Sequence, residues 1–591
     1  MTGKQRTWGQ YATPTDVADL LLGFCLRRPA DRLLDPSCGD GALLRRAAQW
    51  RGWLASDGGQ PSGALHGIEL DPAAAGVAAA IPGAAVHRAN FLTLDPAAYP
   101  PFDAIVGNPP YTRAEWIGRL DAAAGQLSLF PDVTDQALPA ALLPRELAAA
   151  LSGRAGLYAY FLIHSLGFLR EGGRLGFVVP NGWLDVAYGE ALKRFLLDHF
   201  RLLAVVESAV ERWFTAASVN TCLLILERAA DPAARAANRV RFARLRRPLR
   251  DLLGEATDSR RVAIVEQLVT RLLPAADRAT GDVTVRVAEQ GQLSAAARWG
   301  TLLRAPEVYL RRPSPAATPL GEWATVQRGS TSGANDFFYL DAARVAAWGI
   351  EPEYRRPLLK SLRGARGLRL GAADCRHELL LIPPTARLAG TAVADYLAWG
   401  EATGVAARAT CAARRPWYAL PTPPEGPLLL PKGIWQRHLG VVVDEPLSVD
   451  QQIYRVAPAA GIAPGVAAAL LNSAWFALGG ELGGRVNLGE GVLWLAAYEI
   501  ERIVLPDPRA LDAATARSLA TAFERLAALP LADTPEAIAG DERHALDELV
   551  FDLLGLPAAE RAAARAALLD CLAVRRRRAR PAADPPPQGN A

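Results

Sequence analysis

Short apolar runs alternate with helical stretches between residue 31 and about residue 228, and this pattern limits the fold more than any other feature. The strand-like runs are RLLDPS, ALHGIEL, AAVHRANF, FDAIVGN, GRLGFVVP, LLAVVES and NTCLLILER. Alanine-rich segments of helical pattern separate most of them. The alternation predicts a doubly wound α/β fold, in which a mostly parallel sheet carries helices on both faces. The last two runs are joined without a clear helix, which is compatible with an antiparallel final pair.

The chain of 591 residues is too long for one hydrophobic core, so two to four domains are expected. The α/β pattern predicts a first domain over residues 1–230, and the arginine-rich residues 231–310 are expected to form a connector with some helix. Short strands, Gly/Pro turns and tryptophans predict a β-rich domain over residues 311–508. Residues 509–574 have a helical pattern, and residues 575–591 are expected to be a disordered basic tail.

Composition excludes several classes of protein. Half of the residues are hydrophobic, 21% are charged and the net charge is +4, which is an ordinary soluble balance without a global basic field. The six cysteines are scattered and the histidines are not clustered, which argues against a zinc site or a disulfide framework. No signal peptide and no apolar stretch of about 18 residues is evident. We therefore expect a cytoplasmic protein without a membrane partner.

Polar residues follow the first two strand-like runs. In a doubly wound sheet ligands bind at the carboxyl ends of the strands. Asp35 ends the first run, and Gly39 and Gly41 permit a tight turn into a helix whose free N–H groups face a ligand. Glu69 ends the second run and is suited to accept hydrogen bonds from ribose hydroxyls. Each pattern is also common in ordinary turns and solvated loops, so neither identifies a site alone.

The next two runs end in ANFL and GNPPY. The Asn90 side chain can pair with an adenine edge and Phe91 can pack on its ring, although a bare Asn-Phe is more often a turn beside a core aromatic. Asn-Pro-Pro-Tyr, residues 108–111, is more specific. A match at four specified positions is expected by chance in well under roughly one chain in a hundred of this length. Its place after three suitable strand ends argues against a purely structural turn.

These strand ends resemble those of S-adenosylmethionine-dependent methyltransferases, specifically the N6-adenine DNA methyltransferases. The resemblance covers residues 8 to about 228. GQYATPTDVADLL resembles the segment that closes over the methionine end of the cofactor, DPSCGDG the first cofactor motif, and GLYAYFLIHSL a further family segment. It implies cofactor binding by Tyr11, Thr13, Pro14, Asp35, Ser37, Cys38, Gly39, Gly41, Glu69, Asn90, Phe91, Asn108 and Phe161. The family usually has Asp where this chain has Asn90, so we expect a weaker hydrogen bond to the cofactor's amino group.

The resemblance implies catalysis by Asn108, Pro109, Pro110 and Tyr111. An exocyclic amino nitrogen is a poor nucleophile because its lone pair is delocalised into the ring. The Asn108 side-chain oxygen and the Pro109 carbonyl would accept its hydrogens, and the two prolines would hold these acceptors in place. The target base must leave the duplex. Tyr111 and Phe214, with Trp213 as the alternative, would stack on it, each for about 1–3 kcal/mol. No metal is required.

The C-terminal half of the sequence narrows the range of expected substrates. The motif order resembles the gamma arrangement of type II modification and fused restriction–modification enzymes. VQRGSTSGANDFFYL, RRPWYAL, KGIWQRH and ALLNSAWFALGGEL resemble segments of their target-recognition domains. Taken as an ensemble, the predicted phosphate anchors and base readers are Arg328, Asn335, Arg414, Arg415, Trp417, Lys432, Trp435 and Arg437. Taken singly, each tryptophan is more often a core residue and each arginine part of a solvated face.

We therefore expect a site-specific methyltransferase that acts on N6 of a flipped adenine in double-stranded DNA, in restriction–modification or phage defence. Two alternatives remain: methylation of a protein glutamine or an RNA amino group, and a catalytically weak DNA-recognition subunit of a defence complex. A nuclease within the chain is disfavoured because no (D/E)xK motif occurs. The residues two before the four lysines are Thr2, Ala191, Leu358 and Leu430. The expected protein partners are a separately encoded restriction nuclease or subunits of a defence complex.

Overall fold

A computed structural model of the chain describes residues 12–55, 63–112, 151, 155–186, 188–214, 220–311, 314–486 and 491–579. The chain divides into two compact units. The first unit is formed by Met1–Arg304 with Arg577–Ala591, and the second by Ala305–Arg576. The predicted contacts of Tyr11 lie outside the described residues.

The first unit is an α/β unit. Its described strands are β1 (Leu33–Asp35), β2 (Leu65–Glu69), β3 (Ala84–Arg88), β4 (Phe102–Gly107), β5 (Leu169–Pro180), β6 (Phe200–Ser208), β7 (Thr221–Arg228), β8 (Arg239–Leu245), β9 (Arg278–Ala279) and β10 (Val283–Glu289). Its described helices are α1 (Thr15–Cys25), α2 (Ala42–Leu54), α3 (Pro72–Ala79), α4 (Leu157–Phe168), α5 (Gly189–His199), α6 (Pro232–Ala236), α7 (Leu249–Leu253), α8 (Arg260–Leu272) and α9 (Gly300–Arg304).

These strands form one sheet in the order β3-β2-β1-β4-β5-β7-β6-β8-β10-β9. The neighbouring strands in the series β3-β2-β1-β4-β5 are parallel to one another, whereas β7 is antiparallel to both β5 and β6. Along β4, Ala104 and Val106 face a core that includes α1, α2 and α8, and Phe102 and Ile105 face a core that includes α4 and α5. The predicted doubly wound, mostly parallel sheet is confirmed, as is the antiparallel final pair.

Residues 239–289 differ from the expected connector, because β8, β9 and β10 extend the sheet. In β8 the arginines alternate with apolar residues that reach the two cores, Phe242 on one face and Leu245 on the other. The high arginine content concealed this strand pattern. The first unit accordingly continues to Arg304 instead of ending near residue 230.

The second unit combines short strands with helices. Its described strands are β11 (Ala317–Pro319), β12 (Ala324–Arg328), β13 (Tyr339–Leu340), β14 (Arg355–Leu359), β15 (Arg369–Leu370), β16 (His377–Leu380), β17 (Leu428–Pro431), β18 (Gly433–Ile434), β19 (Val441–Val443), β20 (Ser448–Val449), β21 (Ile453–Pro458), β22 (Arg485–Val486), β23 (Leu493–Trp494) and β24 (Val504–Pro506). They form sheets in the orders β12-β21-β17-β19-β15, β13-β16-β14-β20, β18-β23-β22 and β11-β24.

Helices in this unit connect the strands and then form a C-terminal helical region, as predicted. They are α10 (Glu307–Leu310), α11 (Asn335–Phe338), α12 (Ala342–Trp348), α13 (Ala392–Ala402), α14 (Ala409–Ala412), α15 (Pro464–Leu471), α16 (Ala474–Gly483), α17 (Ala497–Glu501), α18 (Ala513–Ala527), α19 (Thr534–Ala539), α20 (Asp541–Leu553) and α21 (Ala558–Ala579). In the part of the chain that the structure describes, no helix is long and apolar enough to cross a membrane.

Helix α21 continues into the segment that was expected to be a disordered tail from residue 575. Arg575 is only 3% exposed. Its guanidinium donates to the Glu481 carboxylate at 2.7 Å and to the Trp435 carbonyl at 2.7 Å. Because a buried arginine is stable only with such partners, this ion pair holds the end of the helix in place.

Candidate active site

The turn after β1 requires glycine. Gly39 and Gly41 have φ of +55° and +85°, in the left-handed region where residues with a Cβ are strained. A Cβ on Gly41 would also lie 2.4 Å from Cδ1 of Ile81. The turn leads directly into α2, which begins at Ala42.

Glu69, at the end of β2, holds this turn. Its Oε2 accepts a hydrogen bond from the Gly39 N–H at 2.8 Å, and its Oε1 accepts from the N–H groups of Leu70 and Asp71 at 2.9 and 2.8 Å. The side chain is buried, with 5% of the residue exposed. The ends of β1 and β2 are therefore one hydrogen-bonded unit.

Asp35 is a buried carboxyl group at the end of β1, 2% exposed. Burial raises its pKa to about 7, with a smaller contribution from the negative charge of Glu69, while a hydrogen bond from the Ser37 N–H at 3.1 Å opposes the shift. Asp35 therefore changes charge near neutral pH, and a nearby cation would favour its ionised form.

The Asn-Pro-Pro-Tyr segment begins directly after β4 and beside this turn. A Cβ on Gly107 would lie 3.2 Å from Oδ1 of Asp35 and 3.3 Å from the Phe177 ring, so β4 passes close to both. The Ser37 hydroxyl donates to the Asn108 carbonyl at 3.4 Å. The ends of β1, β2 and β4 thus meet at one edge of the sheet.

Tyr111 contacts two of the predicted residues. Its hydroxyl donates to Oδ1 of Asn108 at 2.6 Å, and its ring lies 6.2 Å from the Phe214 ring with an angle of 89° between the planes. Phe214 is buried, as is Trp213. Two rings at right angles cannot both present a face to one base, so Tyr111 or Phe214 has to turn before a base can stack between them.

The end of β3 is arranged around Asn90. Its Oδ1 accepts a hydrogen bond from the Leu92 N–H at 3.1 Å and caps the turn Phe91–Thr93. Phe91 and Phe161 are buried, with their ring centroids 5.3 Å apart. The structure therefore brings together three residues predicted to bind the cofactor, and it gives the two phenylalanines a place in the core as well.

The N-terminal segment ends where α1 begins, with Pro14 as its N-cap after Thr13. One turn into this helix, Asp19 is completely buried and accepts hydrogen bonds from Arg46 at 2.8 Å and from Arg261 at 2.7 Å. Arg261 comes from the segment that was expected to be a connector. The helix that follows the predicted closing segment is thus fixed by a buried ion network.

Cys38 helps to hold the turn after β1 through a backbone hydrogen bond. Its N–H donates to the Ile68 carbonyl at 2.9 Å, which joins the turn after β1 to β2. Burial, together with the negative charges of Asp35 and Glu69, raises the pKa of the thiol well above its usual range. The described residues contain no group of three or more His, Cys, Asp or Glu side chains placed to hold a metal ion.

A polar cluster that the sequence motifs did not predict lies beside the ends of β5 and β6. Glu207 is buried and lies 3.2 Å from Nη2 of Arg304, whose Nη1 donates to Asp185 at 2.9 Å. Asn181, the residue after β5, also donates to Glu207. The signal was present in VVPNG and VVES, where a polar residue follows or ends an apolar strand, as in the first four strands.

The predicted DNA-contacting residues lie in the second unit. Arg328 lies near Lys432, whose pKa is lowered by burial and then by the charge of Arg328. The Ser332 hydroxyl donates to Asn335, and its carbonyl accepts from Arg414. Arg328 and Lys432 are thus neighbours, and Asn335 and Arg414 both contact Ser332.

The remaining members of the set have varied surroundings. Trp417 packs 5.4 Å from the Phe337 ring and donates to Glu401 at 3.0 Å, which is a core position with a polar edge. Arg415 donates to the Ala412 carbonyl at 2.7 Å. Trp435, by contrast, is 43% exposed, and Arg437 follows it at the same surface segment.

Comparison with known proteins gives matches in both units. Residues 86–214 match the Eco57I restriction-modification methylase family, and residues 308–533 match the C-terminal domain of the type II methyltransferase M.Eco57I. M.XamI of Xanthomonas campestris pv. amaranthicola is 25% identical over 530 residues, which is 86% of each chain. M.TthHB8I of Thermus thermophilus is 30% identical over 197 residues, 33% of this chain and 40% of that protein. Both are type II methyltransferases.

Among solved structures, the type IIL restriction-modification enzyme MmeI, determined in complex with DNA, has the same fold with a TM-score of 0.54. It is 13% identical, and the match covers 95% of this chain and 75% of that one. The resemblance to restriction-modification methyltransferases is therefore confirmed: the chain is similar to type II methyltransferases, with matches in its first unit and in its second unit.

Proposed function

We propose that this protein is a site-specific DNA methyltransferase that transfers a methyl group from S-adenosylmethionine to N6 of a flipped-out adenine in duplex DNA, within a restriction–modification or phage-defence system. The observation that carries the proposal is the Ser37–Asn108 hydrogen bond. It joins the turn predicted to hold the cofactor to the segment predicted to hold the target amino group, which is the proximity that methyl transfer needs.

The residues at the edge of the sheet fit the cofactor. Glu69 offers carboxylate oxygens to ribose hydroxyls, and the glycine turn that it holds allows close approach of the backbone. Asp35 supplies negative charge for a positively charged ligand, and Asn90 and Phe91 follow β3 where the adenine is expected. When bound, S-adenosylmethionine would supply an electrophilic methyl group on a cationic sulfur.

Asn108 and Pro109 act on the nucleophile in this proposal. The amide oxygen of Asn108 and the carbonyl of Pro109 accept hydrogen bonds from the two amino hydrogens, which keeps electron density on the nitrogen as the new bond forms. Prolines 109 and 110 restrict φ and supply no N–H donors, so the acceptors need little reorganisation. The proton released on methylation leaves through these acceptors to solvent.

Tyr111 and Phe214 are the proposed stacking pair. Their rings are already adjacent, 6.2 Å apart. Rotation of one ring would replace the edge-on contact with two faces turned toward the base, which compensates for the stacking that the base loses in the duplex.

The second unit favours DNA over the alternative substrates. Its match to the M.Eco57I C-terminal domain supports a target-recognition role, because methylation of a glutamine or a small RNA target does not account for a further unit of this kind. Double-stranded DNA is therefore the proposed substrate, and a separately encoded restriction nuclease is the proposed partner. Asn90, where the family usually has Asp, is the one feature that favours a catalytically weak DNA-recognition subunit. The complete Asn-Pro-Pro-Tyr segment argues against that alternative.

The test is transfer of a labelled methyl group to duplex DNA, followed by mapping of the modified bases. We expect the label on N6 of adenine at one recurrent sequence, and no label with duplexes that already carry N6-methyladenine there. Asn108→Ala is the control with strongly reduced transfer. Label on cytosine, on RNA or on a protein glutamine would contradict the proposal, as would absence of transfer by a protein that binds both DNA and cofactor.

A further inference from the structure

The second unit contains a basic segment that belongs to none of the motifs described above. Between Glu353 and Asp374 the chain carries six cations and no acidic residue, namely Arg355, Arg356, Lys360, Arg363, Arg366 and Arg369. A mixed surface usually interleaves both signs of charge, so a run of this kind indicates a site for negative charge.

The ends of this segment are neutralised within the protein. Arg355, in β14, pairs with Glu378, and Arg369, in β15, pairs with Asp444 and with Glu524 at 2.6 Å each. These two arginines belong to the ordinary ion pairs of a folded surface.

The loop between the two strands is different. Lys360, Arg363 and Arg366 are exposed, and no carboxylate of the described residues lies within 4.0 Å of their charged nitrogens. Among other exposed arginines of this unit, Arg408 pairs with Asp336 and Arg509 pairs with Asp507 at 2.7 Å. We call residues 360–367 the basic loop.

The basic loop is held in one conformation. Leu362 within it and Leu368 just after it are buried in the main core of the unit. From the neighbouring segment, Arg437 donates to the Ala365 carbonyl at 3.2 Å and also to the Arg363 carbonyl. The Arg363 guanidinium lies 5.9 Å from the centre of the exposed Trp435 ring. The exposed cations therefore project from an ordered backbone, which lowers the entropy lost when they bind a ligand.

We propose that the basic loop binds the phosphate backbone of duplex DNA, with Lys360, Arg363 and Arg366 as phosphate contacts and Arg437 as the residue that positions the loop. The inference rests on the proposed function for its choice of polyanion. Three cations without acidic partners can release three condensed counterions when they meet phosphates, and this gain does not depend on base sequence. The loop thus supplies affinity and register, and it does not read the target sequence.

The test compares the salt dependence of DNA binding by the full chain and a triple variant, Lys360→Gln with Arg363→Gln and Arg366→Gln. The slope of log K against log salt is expected to become shallower by about one for each cation removed, or about three in total. The loss of affinity is expected to be the same for duplexes with and without the methylated sequence. A phosphate contact has no sequence preference, whereas a base contact would weaken only target binding.

A charge-matched control removes three exposed arginines elsewhere in the same unit, through Arg387→Gln with Arg408→Gln and Arg509→Gln. Its slope is expected to stay near that of the wild type. Arg363→Lys with Arg366→Lys is expected to keep the wild-type slope, because lysine also contacts phosphate as a point charge. Thermal unfolding of each variant reports whether the fold is kept.

The inference is overturned if the triple variant keeps the wild-type slope, if the control loses as much, or if affinity falls for single-stranded RNA and not for duplex DNA. These outcomes are separate from a failure of the proposed function, which is measured by methyl transfer with the wild-type chain. If the wild-type chain methylates adenine and the triple variant keeps the wild-type slope, the phosphate-binding role of the basic loop is contradicted. The proposed methyltransferase function then still stands.

Discussion

The Tyr111 hydroxyl donates to the side-chain oxygen of Asn108 at 2.6 Å, so the acceptor proposed for the target amino group already holds a donor. A base that enters must displace this hydroxyl. The same movement would take the Tyr111 ring out of its edge-on contact with Phe214. A single movement of Tyr111 would therefore free the Asn108 oxygen and expose a ring face on which the base can stack.

Replacement of Tyr111 separates the two roles. Tyr111→Phe removes the donor and keeps the ring, so kcat/KM for methyl transfer is expected to stay near the wild-type value or to rise, because a bond worth about 0.5–1.5 kcal/mol no longer opposes base entry. Tyr111→Ala removes a stack worth about 1–3 kcal/mol and is expected to lower kcat/KM by roughly 5- to 150-fold. Equal losses in both variants would show that the hydroxyl assists transfer.

Asn108→Ala removes one of the two proposed acceptors. A drop in kcat of about 100- to 1,000-fold is expected, as for the loss of one preorganised group that stabilises a transition state. Cofactor affinity, measured by calorimetry, is expected to change little, because the Ser37 hydrogen bond is made to the backbone carbonyl that alanine retains. A variant with wild-type turnover would contradict the role given to Asn108.

Asp35 makes cofactor binding dependent on pH. Its pKa of about 7 in the folded protein means that the carboxyl is ionised only above neutrality, so affinity for the positively charged cofactor is expected to rise as pH increases through 7. Calorimetric titration between pH 6 and pH 8 would measure this change. Asp35→Asn should abolish the pH dependence and bind the cofactor weakly throughout the range.

The effect of Asp35 on stability has the opposite pH dependence: its contribution to the free energy of unfolding falls as pH rises. The pKa of an Asp carboxyl in an unfolded chain is about 3.9. The pKa of the Asp35 carboxyl in the folded protein is about 7. Its contribution to the free energy of unfolding is therefore fully present below about pH 4 and is lost as pH rises through 7. The difference in stability between wild type and Asp35→Asn, followed by denaturant unfolding, is expected to change in this window alone.

Arg261 provides a test of the ion network behind the closing segment. It is buried and donates to Asp19 at 2.7 Å, so Arg261→Ala leaves a buried carboxylate without one of its partners. A loss of about 3–5 kcal/mol in the free energy of unfolding is expected, together with weaker cofactor binding. The matched control is the next residue, since Arg260 is exposed and pairs with Asp258. Arg260→Ala should unfold like the wild type.

The strand-end residues could be found from the sequence because each follows a short apolar run. Asp35, Glu69 and Asn108 come directly after or at the end of runs that pair in one parallel sheet, and the carboxyl ends of parallel strands meet at one edge. Local pattern was sufficient there, since hydrophobic alternation and the turn chemistry of glycine and proline act between neighbours in the chain.

The sequence by itself therefore determined the α/β class, the order of the motifs and the residues at the edge of the sheet. Only the tertiary structure decided which partners those residues meet. Arg261 binds Asp19 across 242 residues, Arg575 binds Glu481 across 94, and β8 to β10 join the sheet despite their arginines. The energy of a buried charge or an added strand depends on groups brought from far along the chain, and no local pattern encodes that distance.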